Sequence, residues 1–470
     1  MPIRPVVLLT LAALACPAWA FAAPKHAKPA AMPAEMTTPA STGAAILTAD
    51  EAVRIALEKN SSVIRADASV LSARSGLWSA YSRVLPSVGA DVTRNGSLTN
   101  ESNGVQVFGS TTFPTSSFDA ERYSTSYGLS GRWSALDPSA IAGLSSARAA
   151  MKGATFGRTA SRADVRLETR RRFYAVVKAM HLARVSSQAL RLSRDDERRV
   201  RALFEVGSVS KSDLLKAQVR TAQSQLDSLL SDHAVVNQRV SLAQQLGTSE
   251  QAVPPVDSSL TAAHETIDGS AVLSDARSKR PDLIAADADL RAAELGLRSA
   301  HWARLPSLSL SGSYTPKTTS TQKQFDDAAH STQTSGAFES KKAWGGQLAV
   351  NLNLFDGFAT DAAVASARSR LLNARETRDA LLRNLEGEVR LTLLGYQESV
   401  EREALGRRTV ESAGENLNLV QQKYNVGSAT ILELIDAQVQ LQRAQSDLVS
   451  ALADIRVAEA ALDRVRGKSE

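Results

Sequence analysis

The hydrophobic pattern has two periods. Long stretches carry apolar residues at helical spacing, and short stretches alternate at period two. Thr48–Ala49–Asp50–Glu51 is a capping box ahead of an Ala-rich helical run that ends near Val84, where Pro86 stops it. Val88, Ala90 and Val92 then alternate with Gly89, Asp91 and Thr93, which predicts a strand. Residues 96–122 are rich in Ser, Thr, Asn and Gly and read as a loop. A second strand is predicted where Tyr123, Thr125, Tyr127, Leu129, Gly131 and Trp133 alternate with small polar residues. A helix from about 139 to 205 follows, with the stripe Phe173, Val176, Val177, Met180, Ala183 and Leu190. A tight turn leads to another helix over 211–246.

The same order recurs. A helix over 269–304 stops before Pro306, and Leu308, Leu310, Gly312 and Tyr314 alternate with serines. A polar loop over 316–342 precedes a strand at Leu348, Val350, Leu352 and Leu354. Helices over 360–423 and 431–465 complete the pattern. Residue identities support a duplication at a fixed offset of 220. Tyr81–Ser87 matches His301–Ser307, Phe204–Ser208 matches Tyr424–Ser428, and Ala217–Gln218–Val219 matches Ala437–Gln438–Val439. The expected organisation is a repeat over 46–250, a linker over 251–268 and a second repeat over 269–466.

The fold class expected is mainly α with a small β part. A helix of about 65 residues is roughly 100 Å long and needs partners along its length. A coiled-coil rod and a wall of antiparallel helices round a wet channel both satisfy it. The strands fit either a soluble sandwich or a membrane barrel, and aromatics near their ends favour the barrel. Four strands cannot close one, because an open edge in lipid leaves backbone groups unpaired. Two chains would supply eight strands and three would supply twelve.

The leader bears on the compartment. Residues 1–22 read as a secretory signal, with Arg4, an apolar run from Val6 to Ala15, and small-x-small sites at Ala18–Ala20 and Ala20–Ala22. Cys16, the one cysteine of 470 residues, sits in a poor lipidation context and lies in the leader. Residues 23–45 read as an Ala/Pro-rich flexible linker.

Composition narrows function further. Hydrophobics are 43% and charged residues 22%, so the chain is neither disordered nor a polytopic helical membrane protein. The net charge of +6 is scattered, which gives no footing for nucleic-acid binding. Six histidines show no metal-ligand spacing, and no phosphate loop, dinucleotide fingerprint or nucleophile motif occurs, so no cofactor or enzyme is indicated.

The two tight turns draw attention. Val206–Gly207–Ser208 and Val426–Gly427–Ser428 place a glycine where a helix ends left-handed, and Ser210–Asp213 and Thr430–Glu433 cap the next helix. As local structure they are good hairpins. As function, both lie furthest from the strands, where an exposed repeated turn suits docking. Glu433 and Asp436 share a helix face just beyond. By spacing they suit a solvated helix N-terminus first, and an acidic ring in a closed assembly second.

The duplicated layout, the paired Leu-Pro-Ser, Leu354–Phe355–Asp356–Gly357, and the Val-Gly-Ser turns followed by Asp213–Gln218 and Glu433–Gln438 resemble the TolC-like outer-membrane efflux proteins, over about 46–466. The resemblance implies a homotrimer with a twelve-stranded barrel in outer-membrane lipid and a helical periplasmic tunnel. It also implies partners: a periplasmic adaptor and an inner-membrane pump or exporter. Residues 206–208 and 426–428 match adaptor-docking tip turns. Glu433 and Asp436 match an acidic aperture ring, Tyr424 an aperture tyrosine, and Asp213 an acid of the partner hairpin. Ala429 stands where the family's namesake has arginine, so a salt-bridge lock is not carried over. A periplasmic adaptor or a structural coiled-coil envelope protein is the alternative.

Overall fold

A computed structural model describes residues 46–101, 105–114, 117–261, 267–326 and 332–468. The expected signal, Cys16 and the linker over 23–45 lie outside these residues. The elements are α1 (Ala49–Lys59), α2 (Ser61–Ser82), β1 (Ser87–Glu101), β2 (Val105–Phe108), β3 (Thr111–Pro114), β4 (Ser117–Leu136), α3 (Pro138–Glu205), α4 (Lys211–Leu246), a 3₁₀ turn (Glu250–Ala252), α5 (Gly269–Lys279), α6 (Pro281–Trp302), β5 (Ser307–Asp326), β6 (Thr332–Asn351), α7 (Ala359–Asn425) and α8 (Ile431–Arg466). Among the described residues, no helix is long and apolar enough to cross a membrane.

Each expected first helix is two. Asn60 breaks the first run because its carboxamide accepts the Ser62 N–H at 2.8 Å and donates to the Gln245 carbonyl at 2.8 Å. In the second run Arg280 is extended ahead of Pro281, which starts α6. The strands run further than expected. The described residues of 96–122 and 316–342 are largely strand, not loop, and β2 and β3 form an extra hairpin. Their Ser/Thr-rich sequence is polar on both faces, so period-two hydrophobicity vanishes while backbone pairing continues. Even Pro316 sits within the β5–β6 ladder, opposite Lys342.

The sheet order is β1-β4-β5-β6, antiparallel throughout, so β1 and β6 are free edges. The helical part holds little conventional core. Leu47, Val63, Phe173, Val176, Val177, Leu242 and Leu246 form one cluster, and Val272, Leu283, Leu385, Val389 and Val465 another. Val253 and Val256 join the first cluster, and Leu47 N–H donates to Pro255 at 2.8 Å, so the stretch expected as a linker packs firmly here. Elsewhere small residues bring helices together. Ser193 and Ser224 hydroxyls meet at 2.9 Å between α3 and α4, and Ser186 and Ser231 at 2.8 Å.

Ion pairs join the clusters. The Arg280 side chain is 6% exposed and pairs with Asp282 and Glu388, each at 2.6 Å. Arg464 also reaches Glu388, and Asp164 at 2.7 Å. Two of these contacts join elements more than 100 residues apart in sequence.

Gly247 and Gly467 end α4 and α8 in the left-handed region, at φ 67° and 72°. A Cβ on Gly247 would lie 2.7 Å from the Lys59 carbonyl oxygen, and one on Gly467 2.8 Å from that of Lys279. Gly247→Ala is expected to destabilise by about 1–3 kcal/mol through strain and this clash. Gly157→Ala, mid-helix with open space, is expected to be neutral or stabilising by up to about 1 kcal/mol. Urea unfolding of both variants checks the contrast.

Candidate functional site

Two features stand apart from ordinary packing: the helical tip and the two faces of the sheet. At the tip, Gly207 and Gly427 take φ 74° and 77°. Gly207 N–H donates to Phe204 at 3.0 Å and Ser208 N–H to Leu203 at 2.8 Å. Gly427 N–H donates to Tyr424 at 3.1 Å and Ser428 N–H to Lys423 at 2.9 Å. Both turns are therefore Schellman motifs. Ser210 Oγ then accepts the Asp213 N–H at 3.1 Å, and Thr430 Oγ1 accepts that of Glu433 at 3.3 Å. Val206, Gly207, Ser208, Val426, Gly427 and Ser428 are all exposed, the valines at 74% and 79%.

The two hairpins meet over Val200, Ala217, Ile431 and Leu434, with Tyr424 packed against them. A groove of about 670 Å³ lies between them, lined by Arg199, Ser208, Asp213, Lys216, Tyr424 and Ala429 among others. Asp213 accepts from Ser210 Oγ at 2.8 Å and pairs with Lys216 at 3.3 Å. The Ser210 hydrogen bond, aided by Lys216, holds its carboxyl below the usual range. Burial pushes the Tyr424 phenol up, with Asp196 adding to it. Glu433 and Asp436 lie outside this groove. Both are exposed at the start of α8, where Asp436 accepts from Gln440 Nε2 at 2.7 Å.

Three polar contacts between the hairpins were not foreseen from sequence. Gln438 Nε2 donates to Asp196 at 2.6 Å, Arg199 donates to Asn425 Oδ1 at 3.2 Å, and Arg220 donates to Gln442 Oε1 at 3.0 Å. Each spans more than 220 residues, and polar residues on polar helices give no signal of their partners. With alanine at 429, the contacts of these residues join the hairpins through side-chain amides.

Burial raises the Asp196 carboxyl above its ordinary value, and this outweighs the Gln438 hydrogen bond that favours the ionised form. A raised folded pKa means the protonated form is favoured in the native tip. That stabilisation is fully present below the ordinary carboxylate pKa and is lost as pH rises through the raised value. Protection of tip amides against hydrogen exchange, corrected for intrinsic rate, is expected to weaken as pH rises above about 4. Asp196→Asn is expected to flatten that dependence.

The sheet has one apolar face. Its rows are Val88 with Gly131, Ala90 with Leu129 and Val92 with Tyr127 from β1 to β4. They continue through Trp133 with Leu310 and Leu129 with Tyr314 to Leu308 with Val350, Leu310 with Leu348 and Tyr314 with Trp344. Val88, Val92, Leu348, Val350 and Trp344 are 66–86% exposed. The other face carries Asp91, Thr93, Ser126, Ser130, Arg132, Ser309, Ser311, Ser313 and Gln347. Beyond β6, Phe355 and Phe358 stack edge-on at 5.6 Å, with Phe358 held at a positive φ of 67°. Both rings are exposed, at the opposite end of the apolar band from Tyr314 and Trp344. The band is thus bounded by aromatics at each end, the arrangement of a lipid-facing barrel surface.

Residues 272–468 match the family described as outer membrane efflux protein. The chain is 26% identical over 409 residues to the pyoverdine export outer membrane protein OpmQ of Pseudomonas putida, covering 84% of this chain and 80% of that one. It is 25% identical over 257 residues to outer membrane protein TolC of Salmonella enteritidis, covering 53% of this chain. That match spans 50% of the relative's own length. The Campylobacter jejuni CmeC outer membrane channel shares the fold, with a TM-score of 0.71 at 16% identity over 89% of this chain and 85% of that one. Fold and faces define an outer-membrane protein with a long periplasmic helical part. The chain is similar to the TolC-like outer membrane factors in fold and, over its second half, in family sequence.

Proposed function

We propose that three copies close into a twelve-stranded outer-membrane barrel continued by a periplasmic tunnel. The assembly serves as the passive exit duct of a tripartite efflux pump or type I secretion system. Each chain contributes two similar repeats, 46–250 and 269–466.

The observation that carries this reading is the pair of unmatched edges. β1 and β6 each offer an unpaired strand edge. Among the helices, α3 packs on α2, α4, α6 and α8, and α7 packs on α5, α6 and α8. This leaves α2 and α4 at one border and α7 at the other. Those borders carry exposed apolar residues: Leu71, Trp78, Leu215 and Val219 on one side, Leu391, Leu394, Leu405 and Leu419 on the other. Strand and helix edges thus fall on matching sides. A head-to-tail contact that closes as a ring covers all of them. Three copies leave a wet lumen behind the polar face, whereas eight strands would be filled by side chains.

The exposed turns at 206–208 and 426–428 would meet a periplasmic adaptor, and the adaptor an inner-membrane pump or exporter. Glu433 and Asp436, with Tyr424 and Asp213 behind them, would form the periplasmic aperture. Membrane fractionation with heat-modifiable gel mobility tests the reading. An SDS-resistant trimer in the outer-membrane fraction supports it. A soluble periplasmic monomer overturns it and favours an adaptor or structural role.

A further inference from the structure

Beyond the Tyr314–Trp344 row, the polar face of the sheet changes character. Below that row it carries Arg132, and Asp91 stands in the first row above it, opposite Gly128. Beyond Asp91, three successive rows on the same face read Thr93–Ser126–Lys317–Lys341, Asn95–Ser124–Thr319–Glu339 and Ser97–Arg122–Thr321. The charged side chains on this face above the Tyr314–Trp344 row, among those described, are Asp91, Arg122, Lys317, Lys341 and Glu339.

Lys317 and Lys341 are directly opposite across β5 and β6. Like charges in that position, with Cβ atoms about 5 Å apart, destabilise a sheet. Glu339 offsets part of this, with its carboxylate 2.8 Å from Lys341 Nζ. Arg122 donates to Thr321 Oγ1 at 3.4 Å, which adds a cation one step further out. All three cations are exposed, Lys341 at 74%. A sheet designed for stability alone has no use for this arrangement.

We infer that Arg122, Lys317 and Lys341 form a cationic collar on the lumen wall at the outer mouth, which favours passage of anionic solutes such as small carboxylates. The inference rests on the duct reading, since it takes the polar face to line the lumen. In a trimer the collar would set nine cations against six carboxylates, those of Glu339 and of Asp91 one row below. A charged ring on a narrow low-dielectric wall raises the local concentration of its counter-ion and selects for it. Lys342, next to Lys341 on β6, belongs to the opposite face and serves as an internal control.

The test uses the purified full-length protein in planar bilayers under a KCl gradient, in a Glu433→Ala/Asp436→Ala background so that the aperture does not dominate selectivity. Lys317→Gln/Lys341→Gln is expected to lower the chloride-to-potassium permeability ratio roughly twofold or more. Citrate added at the outer side is expected to reduce current in the parent and to do so less in the double variant. Lys342→Gln is expected to leave both unchanged. A channel whose ratio does not move in the double variant overturns the collar alone. An equal shift in Lys342→Gln also overturns it, since the effect then does not depend on the lumen face. No channel from SDS-resistant trimer overturns the duct reading and the collar with it.

Discussion

Leu348→Arg is expected to prevent stable assembly in the outer membrane, while Ala349→Arg one residue along is expected to be tolerated. Leu348 faces outward at 66% exposure, near the middle of the band between Trp344 and Phe355. Ala349 belongs to the face shared by Ser309 and Ser311. An arginine facing lipid at the bilayer midplane costs about 2–4 kcal/mol per copy, and a trimer carries three. On the lumen side the same guanidinium stays in water. Outer-membrane fractionation and gel mobility of the unheated protein read the difference. Equal tolerance of both substitutions, or equal loss, would contradict the assignment of faces.

The second large effect concerns the aperture. Glu433→Ala/Asp436→Ala is expected to raise single-channel conductance roughly twofold or more and to weaken cation preference, because six carboxylates leave one level of the tunnel. Both side chains are exposed and lie outside the core that joins the hairpins, so the fold is expected to survive the change. Asp213→Ala is a useful contrast. It removes a group already engaged by Ser210 and Lys216 within the inter-hairpin groove. A conductance unchanged by the Glu433/Asp436 pair would move the constriction elsewhere.

Much of this architecture is legible in the sequence because the relevant signals are local. Glycine before a capping serine or threonine specifies the tip turns, and both form Schellman motifs within two residues of the expected helix ends. Period-two alternation locates the lipid-facing part of each strand. It fails outside that band, where Thr318, Thr319, Ser320 and Thr321 pair as strand with no apolar face to mark them. The breaks at Asn60 and Arg280 were hidden because an Ala-rich run continues on both sides. The family resemblance, and no local pattern, grouped Tyr424 and Asp213 with Glu433 and Asp436. In the structure, the first two line the inter-hairpin groove and the second two do not. The Asp196–Gln438 and Arg199–Asn425 contacts depend on how one hairpin docks on the other, which no local pattern encodes.

The most direct test of the central claim is single-channel recording from the purified wild-type protein in planar bilayers. Discrete, small currents of uniform unit size are expected from the SDS-resistant trimer. A well-folded trimer that passes no current would contradict a tunnel through the assembly and leave the long helices a structural role.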